Sequence, residues 1–453
     1  MKDTPSCCHI VALPYPGRGH INPMMNFCRL LVSKPNTTLL VTIVVTEEWL
    51  GFLGSEETSG SEKIRFRTIP NVIPSELVRA ADMEKFIQAL NTEMEPHFEQ
   101  LLDQLDPPAS LIMADTLLSW TVCLGNRRNI PVASFWCMSA TVFSLFHHWD
   151  LFTQNGHFPV KLSENGHQLV NYIPGVSPIR LADLPLHFTG YSESLINRIR
   201  EGFSRVLKAQ YLLLSTMYEI EPQAVDALKQ SLAYPIYTIG PAVVPYSGLA
   251  TESDEQLDYL RWLDLQPARS VLYVSMGSYL SFPATQVEEI AAGLSQSGVR
   301  FLWVARGEAT RLQKAWGGDS GLMVPWCEQL KVLHHPSVGG FWTHCGWNSV
   351  QECVLYAGVP MLTWPLGIDQ LHNSKVIVED WRIGWKVKEE AWMGRERVAG
   401  IVKKFMDCEN AEVKEMWTRV KELQRKARDA GSDGGSMATG MGCFLRDISS
   451  SLC

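Results

Sequence analysis

The sequence lacks the features that mark proteins binding nucleic acid or spanning a membrane. Its 40 Lys and Arg residues are outnumbered by 48 Asp and Glu residues, which gives a formal net charge of −8 without any basic tract. An acidic chain of this kind is a poor candidate for binding nucleic acid. The longest largely apolar stretch, residues 135–146, is too short to cross a bilayer. We therefore expect neither a nucleic-acid partner nor a membrane span.

The 11 cysteines lack a pattern typical of disulfide frameworks or zinc sites. Cys7 and Cys8 are adjacent, no two cysteines have C-x-x-C spacing, and the total is odd. We interpret them as reduced thiols of a cytoplasmic protein. The N-terminal apolar run is short and is followed by Pro14 and Pro16, which is unlike a secretion signal. A cytoplasmic monomer is expected.

Short apolar runs alternate with helical patterns along the chain. Continuous apolar runs are typical of parallel strands covered on both faces, and their alternation with helices predicts doubly wound α/β domains. The predicted helices are 22–33, 83–105, 285–297 and 413–428. The predicted strands are 9–13, 40–45, 64–68, 111–114, 132–135, 211–214, 236–239, 271–275, 301–304, 340–342 and 361–363.

The alternation is interrupted once, by a stretch of small, acidic and turn-forming residues. We predict a Rossmann-like domain at 1–241, a linker at 242–255 and a second Rossmann-like domain at 256–432. The glycine-rich GSDGGS segment predicts another joint, followed by a last helix within 433–453. Ligands of open α/β sheets bind beyond the carboxyl ends of the strands, so loops from both halves are expected to form the site.

The loop after the first predicted strand contains the first candidate catalytic residue. Gly17 and Gly19 form only part of the dinucleotide-binding G-x-G-x-x-G pattern, because Asn22 stands at the third glycine. His20 lies where a helix begins, and a helix N-terminus favours a neutral imidazole that can accept a proton. Asp115 directly follows a buried apolar run and is a candidate partner that would orient the imidazole. Alternatively, His20 merely caps its helix and Asp115 caps the following one.

The most informative stretch is 326–370, WCEQLKVLHHPSVGGFWTHCGWNSVQECVLYAGVPMLTWPLGIDQ. A predicted strand leads into His344, Asn348 and Ser349 at a helix start, which is a ready-made phosphate site. Glu352, one turn further along, would accept from ribose hydroxyls. Ser278, which follows another strand, would add a phosphate donor.

Aromatic and polar residues stand at the two ends of this stretch. Trp326 offers a flat face for a base, and Asp369 with Gln370 suits bidentate bonding to sugar hydroxyls. Each has an ordinary structural alternative, since Trp326 would serve in a core and the pair Asp369-Gln370 would cap a helix. His344 likewise would serve as a hydrogen-bonded core histidine.

The stretch 326–370 resembles the C-terminal signature box of plant secondary-product glycosyltransferases, the UDP-sugar-dependent family 1 enzymes. The resemblance extends over nearly the whole chain and includes 14–23, Asp115, 262–267 and 270–278, with Met276 where the family usually has Phe. It implies the GT-B fold, with two facing Rossmann-like, doubly wound parallel-sheet α/β domains and a last helix that returns to the N-terminal domain.

The resemblance also implies a role for each site residue. His20 would be the catalytic base and Asp115 its partner. The implied donor-binding residues are Trp326 for uracil, the backbone near Cys327 and Gln329 for the base and ribose, Glu352 for the ribose hydroxyls, His344, Gly346, Asn348, Ser349 and Ser278 for the diphosphate, and Trp347, Asp369 and Gln370 for the sugar.

The box contains one residue more than the family's usual spacing. It has 45 residues, and the spacing is regular through Glu352, so the additional residue lies in 353–357. An extra residue in a helix turns the rest of the chain by about 100° unless a π-bulge or a longer cap absorbs it. We predict that it is absorbed near 356–358, which would leave Asp369 and Gln370 directed at the donor.

The expected reaction is the inverting transfer of a sugar, glucose by resemblance, from a UDP-sugar to a hydroxyl or carboxyl of a small lipophilic plant metabolite. The UDP-sugar is a co-substrate, and no cofactor or metal is expected, because the sequence has no Asp-x-Asp motif. Two alternatives are a catalytically silent protein that binds UDP-sugars or small molecules, and a nicotinamide-dependent oxidoreductase.

A phenolic, terpenoid or aromatic acid acceptor would bind in the N-terminal half, beyond its strand ends. An ordinary buried helix is the alternative interpretation for most of the candidate positions. These are Tyr15, Leu118, Trp136, Met138, Phe143, His147, His148 and Trp149.

Overall fold

Contacts within the computed structural model divide the chain into two compact units. The structure describes residues 8–34, 38–58, 61–78, 82–189, 191–241, 258–277, 283–314, 320–387 and 392–452. The first unit holds the described residues up to Ala182, 186–241 and those from Ala430 onward; the second holds Asp183–Pro185 and the described residues from 258 to Asp429. The predicted linker, 242–255, lies outside the described residues.

The first unit is built around a parallel sheet. Its strands are β1 (Cys8–Leu13), β2 (Leu39–Thr46), β3 (Ile64–Ile69), β4 (Leu111–Asp115), β5 (Val132–Trp136), β6 (Leu169–Val170), β7 (Ile179–Arg180), β8 (Tyr211–Leu214) and β9 (Ile236–Thr238). Seven of them pair in the order β3-β2-β1-β4-β5-β8-β9, with every neighbouring pair parallel. Strands β6 and β7 form a separate antiparallel pair.

Helices connect these strands. They are α1 (Arg18–Ser33), α2 (Glu47–Thr58), α3 (Met83–Thr92), α4 (Met94–Leu102), α5 (Trp120–Arg128), α6 (Ala140–His147), α7 (Trp149–Gln154), α8 (Leu162–Asn165), α9 (Leu186–Thr189), α10 (Glu193–Val206) and α11 (Pro222–Ser231), with single 3-10 turns at Leu181–Asp183 and Tyr218–Ile220. Every residue of β1, β2, β4 and β5 is buried, as expected of parallel strands covered on both faces.

The second unit repeats the architecture with a six-stranded sheet. Its strands β10 (Val271–Ser275), β11 (Arg300–Val304), β12 (Gly321–Val324), β13 (Val338–Thr343), β14 (Met361–Thr363) and β15 (Gly384–Lys386) pair in parallel in the order β12-β11-β10-β13-β14-β15. Its helices are α12 (Asp258–Asp264), α13 (Ala284–Ser297), α14 (Ala309–Leu312), α15 (Gln329–His334), α16 (Trp347–Glu352), α17 (Gln370–Lys375), α18 (Arg395–Phe405) and α19 (Ala411–Gly431), with π turns at Cys353–Ala357 and Val376–Asp380.

Each sheet reverses its strand order once, and this reversal locates a binding site. In the first unit the order reverses between β1 and β4, and in the second between β10 and β13. Ligands of doubly wound sheets bind at such topological switch points, beyond the carboxyl ends of the strands. Functional residues are therefore expected in the loops after these four strands.

The last helix, α20 (Ser436–Leu452), belongs to the first unit. Its Phe444 is fully buried and packs against the rings of Tyr211 and Tyr237. Gly440 lies so close to the sheet that a Cβ there would stand 2.2 Å from the Thr238 carbonyl oxygen. The C-terminal helix is thus packed directly on the edge of the seven-stranded sheet.

Two sequence predictions differ from the structure. The predicted helix at 83–105 is two helices, α3 and α4, separated at Glu93. Pro96 has no N–H to donate to the Thr92 carbonyl, which breaks the helical ladder at this point. The apolar runs also did not predict β12 and β15, which are short strands at the two edges of the second sheet, or the two-residue strands β6 and β7.

The segment expected to contain the extra residue, 353–357, forms a π turn. Helix α16 continues into Cys353–Ala357, where the Gly358 N–H donates to the Cys353 carbonyl at 2.7 Å. This bond spans one residue more than an α-helical bond. Gly358 ends the turn with a φ of 55°, and a Cβ there would lie 2.3 Å from Gln424 Oε1. Strand β14 then pairs with β13 in regular register.

Candidate functional site

The loop after β1 places a histidine in the first turn of α1. The N–H groups of His20 and Ile21 both donate to the Gly17 carbonyl at 2.9 Å, which fixes the start of the helix. The His20 side chain is 20% exposed, and its Nδ1 donates to Asp115 Oδ2 at 2.8 Å. With Nδ1 carrying the proton, Nε2 is the ring nitrogen left to accept one.

Asp115 is the last residue of β4, the strand next to β1 at the switch point. Its side chain is 2% exposed, and its second oxygen, Oδ1, accepts from the Leu117 N–H at 3.0 Å. The following helix begins at Trp120 with Ser119 as its N-cap, so Asp115 does not cap it. Both carboxylate oxygens are used, one to orient His20 and the other to hold the turn after β4.

Cys137 is a third member of this cluster, and it was not among the predicted site residues. It follows β5, the strand next to β4, and its Sγ lies 3.0 Å from His20 Nδ1 and 4.0 Å from Asp115 Oδ2. The position was detectable in principle, because Cys137 follows its strand as Asp115 ends the neighbouring one. The spacing of the cysteines in the sequence predicts only that they are reduced thiols, and it does not distinguish Cys137 from the others.

A cavity of about 210 Å³ opens in the first unit beside this cluster. Its lining includes Tyr15, Leu90, Leu117, His187, Leu195 and Phe203. The Tyr15 ring lies 4.7 Å from the His20 ring, centroid to centroid, and Leu117 is two residues from Asp115. The wall nearest the His20–Asp115 pair therefore combines the Tyr15 ring and the Leu117 side chain with the polar Thr116.

His187 is a buried titratable group of this cavity wall. It is 7% exposed, and its Nδ1 has no hydrogen-bond partner among the described residues. Burial, and secondarily the charge of nearby His20, lower the pKa of His187 to about 4. His187 is therefore neutral at pH 7, and it too was not among the predicted site residues.

The predicted acceptor residues divide into two groups. Tyr15 lines the cavity. Leu118, Trp136 and Phe143 are at most 1% exposed and belong to the core, where the Trp136 and Phe143 rings pack edge to face. These three positions fit the alternative of a buried core. The rest also lie apart from the cavity lining: Met138 and Trp149 are buried, and His147 and His148 are half-buried.

The switch point of the second unit brings Gly277, after β10, against His344, after β13. Gly277 has a φ of 76°, and a Cβ there would lie 2.4 Å from His344 Nε2. Burial lowers the pKa of His344 to about 4, so the ring is neutral at pH 7 and can donate one hydrogen bond. Ser278, the next residue, lies outside the described residues.

A hydrogen-bonded group links α15 to α16. Gln329 Nε2 donates to Ser349 Oγ at 3.0 Å and to Glu352 Oε2 at 2.6 Å, and Gln329 Oε1 accepts from the Tyr273 hydroxyl at 3.3 Å. Burial raises the pKa of Glu352 to about 7. The Tyr273 hydroxyl also lies 3.4 Å from Cys327 Sγ. The predicted residues Cys327, Gln329, Ser349 and Glu352 are therefore brought together.

The three predicted residues Trp326, Trp347 and Asn348 differ in environment. Trp326 is 56% exposed, which leaves a large aromatic face available to a ligand. Trp347 is 3% exposed, with its ring against Trp381, so its indole serves the core. Asn348 is half-buried in the first turn of α16, where Gly346 is the N-cap.

Asp369 and Gln370 lie at the start of α17, both buried. Gln370 Oε1 accepts from the N–H groups of the preceding loop at residues 366 and 367. Asn373 Nδ2 donates to Asp369 Oδ2 at 2.8 Å and to the Cys345 carbonyl at 3.0 Å. Asn373 thus ties the Asp369 loop to the loop that carries His344.

Both units are built around parallel sheets with polar side chains at their switch points, and the structural comparison confirms the predicted GT-B fold, which defines a class of glycosyltransferases. The crystal structure of Medicago truncatula UGT71G1 complexed with UDP-glucose superposes with a TM-score of 0.84 at 26% identity, covering 99% of this chain and 100% of that one.

Sequence comparison gives the family. UDP-glycosyltransferase 87A2 of Arabidopsis thaliana is 49% identical over 447 residues, 97% of this chain and 96% of that protein. The 7-deoxyloganetin glucosyltransferase of Catharanthus roseus is 32% identical over 452 residues, 92% of this chain and 90% of that protein. The family model for "UDP-glucoronosyl and UDP-glucosyl transferase" matches residues 99–421. The chain belongs to this family and is a plant family 1 UDP-glycosyltransferase, which uses a UDP-sugar and a small-molecule acceptor.

Among the described helices, none combines the length and the hydropathy needed to cross a bilayer.

Proposed function

We propose that the protein transfers glucose from UDP-glucose to a hydroxyl or carboxyl of a small lipophilic plant metabolite, with inversion at the anomeric carbon. The observation that carries this proposal is the 2.8 Å bond from His20 Nδ1 to the buried Asp115 carboxylate. It fixes the tautomer in which Nε2 accepts the acceptor's proton, and it stabilises the imidazolium that forms. The deprotonated oxygen then attacks the anomeric carbon from the side opposite UDP.

The second unit supports the donor half of the proposal. UDP leaves as an anion, and the N-terminus of α16 together with a neutral, hydrogen-bond-donating His344 would stabilise it. Trp326 would stack on uracil, and Glu352, held by Gln329, would accept from the ribose hydroxyls. These groups bind the diphosphate by dipoles and neutral donors, so we propose that the reaction needs neither a metal nor a cofactor.

Glucose as the sugar is supported by the relatives. The Medicago truncatula structure contains UDP-glucose, and the Catharanthus roseus relative is a glucosyltransferase. Gln370 and Asp369, at the start of α17, are the side chains we propose for the sugar hydroxyls. The indole of Trp347 is buried, so this residue would contribute through its backbone.

The cavity beside His20 supports a small acceptor. Its volume of about 210 Å³ and its lining by Tyr15, Leu90, Leu195 and Phe203 suit an aromatic or terpenoid skeleton. The lining also contains polar residues, and among them the buried His187 would bind a second oxygen of the acceptor. We propose a cytoplasmic, monomeric enzyme.

The test is transfer from UDP-glucose to a mixed panel of phenols, terpenoid alcohols and aromatic acids, read as UDP release and product mass. The wild type should form a β-glucoside or a glucose ester, identified by the anomeric coupling in proton NMR. His20→Ala should nearly abolish transfer while leaving UDP-glucose binding, whereas His97→Ala, on a half-buried helical position of the same unit, should not. Full turnover in His20→Ala would refute the base assignment. Binding of UDP-glucose with no UDP release in the wild type would favour the alternative of a catalytically silent binding protein.

A further inference from the structure

The cluster of His20, Asp115 and Cys137 has a chemistry that glycosyl transfer does not require. Its three ligand atoms, Nδ1, Oδ2 and Sγ, all lie within 4.8 Å of one another. Base catalysis needs only the imidazole and the carboxylate. Neither the removal of the acceptor's proton nor the attack on the anomeric carbon involves a thiol. The Cys137 thiol lies 3.0 Å from His20 Nδ1, the ring nitrogen that Asp115 orients, so the same nitrogen can also act as a ligand together with sulfur.

One nitrogen, one carboxylate oxygen and one sulfur form the donor set of a borderline divalent cation. Zn²⁺ binds His nitrogen, Asp oxygen and Cys sulfur, often with three protein ligands and one open position. Mg²⁺ and Ca²⁺ prefer oxygen ligands and would gain little from a thiolate. The His20 side chain is 20% exposed, which gives an ion access to an otherwise buried cluster.

The distances fit a tetrahedral ion after small adjustments. With metal–ligand bonds of about 2.0 to 2.3 Å, tetrahedral ligand atoms stand about 3.3 to 3.7 Å apart. In the structure, Nδ1 to Oδ2 is 2.8 Å, Nδ1 to Sγ is 3.0 Å and Sγ to Oδ2 is 4.0 Å. Each separation needs to change by about half an ångström, which side-chain rotation supplies.

We propose that His20, Asp115 and Cys137 form an inhibitory binding site for a borderline divalent cation such as Zn²⁺. The consequence for transfer rests on the proposed role of His20 as the base. The cation takes the lone pair of Nδ1, so the ring proton moves from Nδ1 to Nε2, and the thiol releases one proton to solvent. Nε2 then carries a proton and no longer accepts one from the acceptor, so the base is locked in the inactive tautomer.

Cobalt(II) tests the site without measuring activity. A thiolate bound to Co²⁺ absorbs in the near ultraviolet, so titration of the full-length wild type should produce this band with one equivalent bound. Cys137→Ser, which keeps the size of the side chain but removes the sulfur, should lose the band. Cys123→Ser removes an exposed thiol of the same unit and is the matched control, which should keep the band.

Zinc tests the consequence. Zn²⁺ added at micromolar concentration should reduce transfer from UDP-glucose at least tenfold in the wild type and in Cys123→Ser, whereas Mg²⁺ at millimolar concentration should not. Each variant is compared with its own metal-free rate, so a change in basal activity in Cys137→Ser does not affect the comparison. In Cys137→Ser the inhibition constant for Zn²⁺ should rise at least tenfold.

The outcomes are distinguishable. Absence of the Co²⁺ band in the wild type, or an equal band in Cys137→Ser, overturns the site. Equal zinc inhibition of the wild type and Cys137→Ser also overturns it. A cobalt band that depends on Cys137 but leaves transfer intact overturns the inhibitory role and contradicts His20 as the base. Failure of the proposed transfer itself is recognised separately, by the absence of UDP release without any added metal.

Discussion

Replacing Asp115 with Asn tests the arrangement of the catalytic pair most directly. The carboxylate uses Oδ2 for His20 and Oδ1 for the Leu117 N–H, at 2.8 and 3.0 Å. Asn has a single acceptor oxygen, so one of these two bonds is lost whichever way the amide turns. If the amide N–H₂ faces His20, Nδ1 has to accept and the proton moves to Nε2, which is the inactive tautomer.

The size of the effect depends on the bond that is lost. A hydrogen bond to a charged group contributes about 1.5 to 3 kcal/mol, which corresponds to about 10- to 150-fold in rate. We expect kcat for Asp115→Asn to fall by at least this factor. The KM for UDP-glucose should stay within about twofold, because the proposed donor residues lie in the other unit.

The assay is the steady-state release of UDP, with an acceptor that the wild type glucosylates. Asp150→Asn, at an exposed position of α7, is the matched control and should retain the wild-type kcat. Thermal unfolding of both variants separates a catalytic effect from a loss of folded protein. A folded Asp115→Asn enzyme with kcat within twofold of the wild type would refute the role of Asp115 in orienting His20.

Three further predictions concern the second unit. Trp326→Ala should weaken UDP-glucose binding by about 1 to 3 kcal/mol through lost base stacking, measured by calorimetry, while Trp392→Ala, which removes a similarly exposed indole, should have no effect. Affinity for UDP-glucose should rise as pH increases through about 7, because the ionised Glu352 is the better acceptor for ribose hydroxyls, and the corresponding calorimetric series for Glu352→Gln should be flat. Gly277→Ala should lower the affinity for UDP-glucose, because the added Cβ meets the His344 ring. Gly298→Ala, also at positive φ but in open space, should change only the thermal stability. Equal affinities for UDP-glucose in these two variants would contradict this reasoning.

The sequence predicts the strands at the centres of the sheets well, because buried parallel strands such as β1 and β2 are continuous apolar runs. The missed strands are short, so their hydropathy does not separate them from loops: β12 and β15 lie at sheet edges, and β6 and β7 have two residues each. The break between α3 and α4 was readable from Pro96, since a proline within a helical pattern removes one backbone donor.

The candidate site was predictable wherever a residue ends or follows a strand at a switch point, as Asp115 ends β4 and His20 and His344 follow β1 and β13. It was not predictable where a side chain arrives from a helix elsewhere in the sequence, as His187 does. The sequence placed Cys137 after a predicted strand but did not distinguish it from other cysteines, because only the pairing of β5 with β4 brings its thiol beside His20. Sequence alone also did not separate Trp326, which is exposed, from Trp347, which is buried.

The π turn at Cys353–Ala357 has a consequence for the way related sequences are aligned. If an alignment places its gap in the loop before β14, each residue between the π turn and β14 is matched to a residue one position away from its structural equivalent. The hydrogen bond from Gly358 to the Cys353 carbonyl locates the gap inside the helix instead. The widened turn therefore takes up one residue of length inside the helix, and β14 still pairs with β13 in regular register.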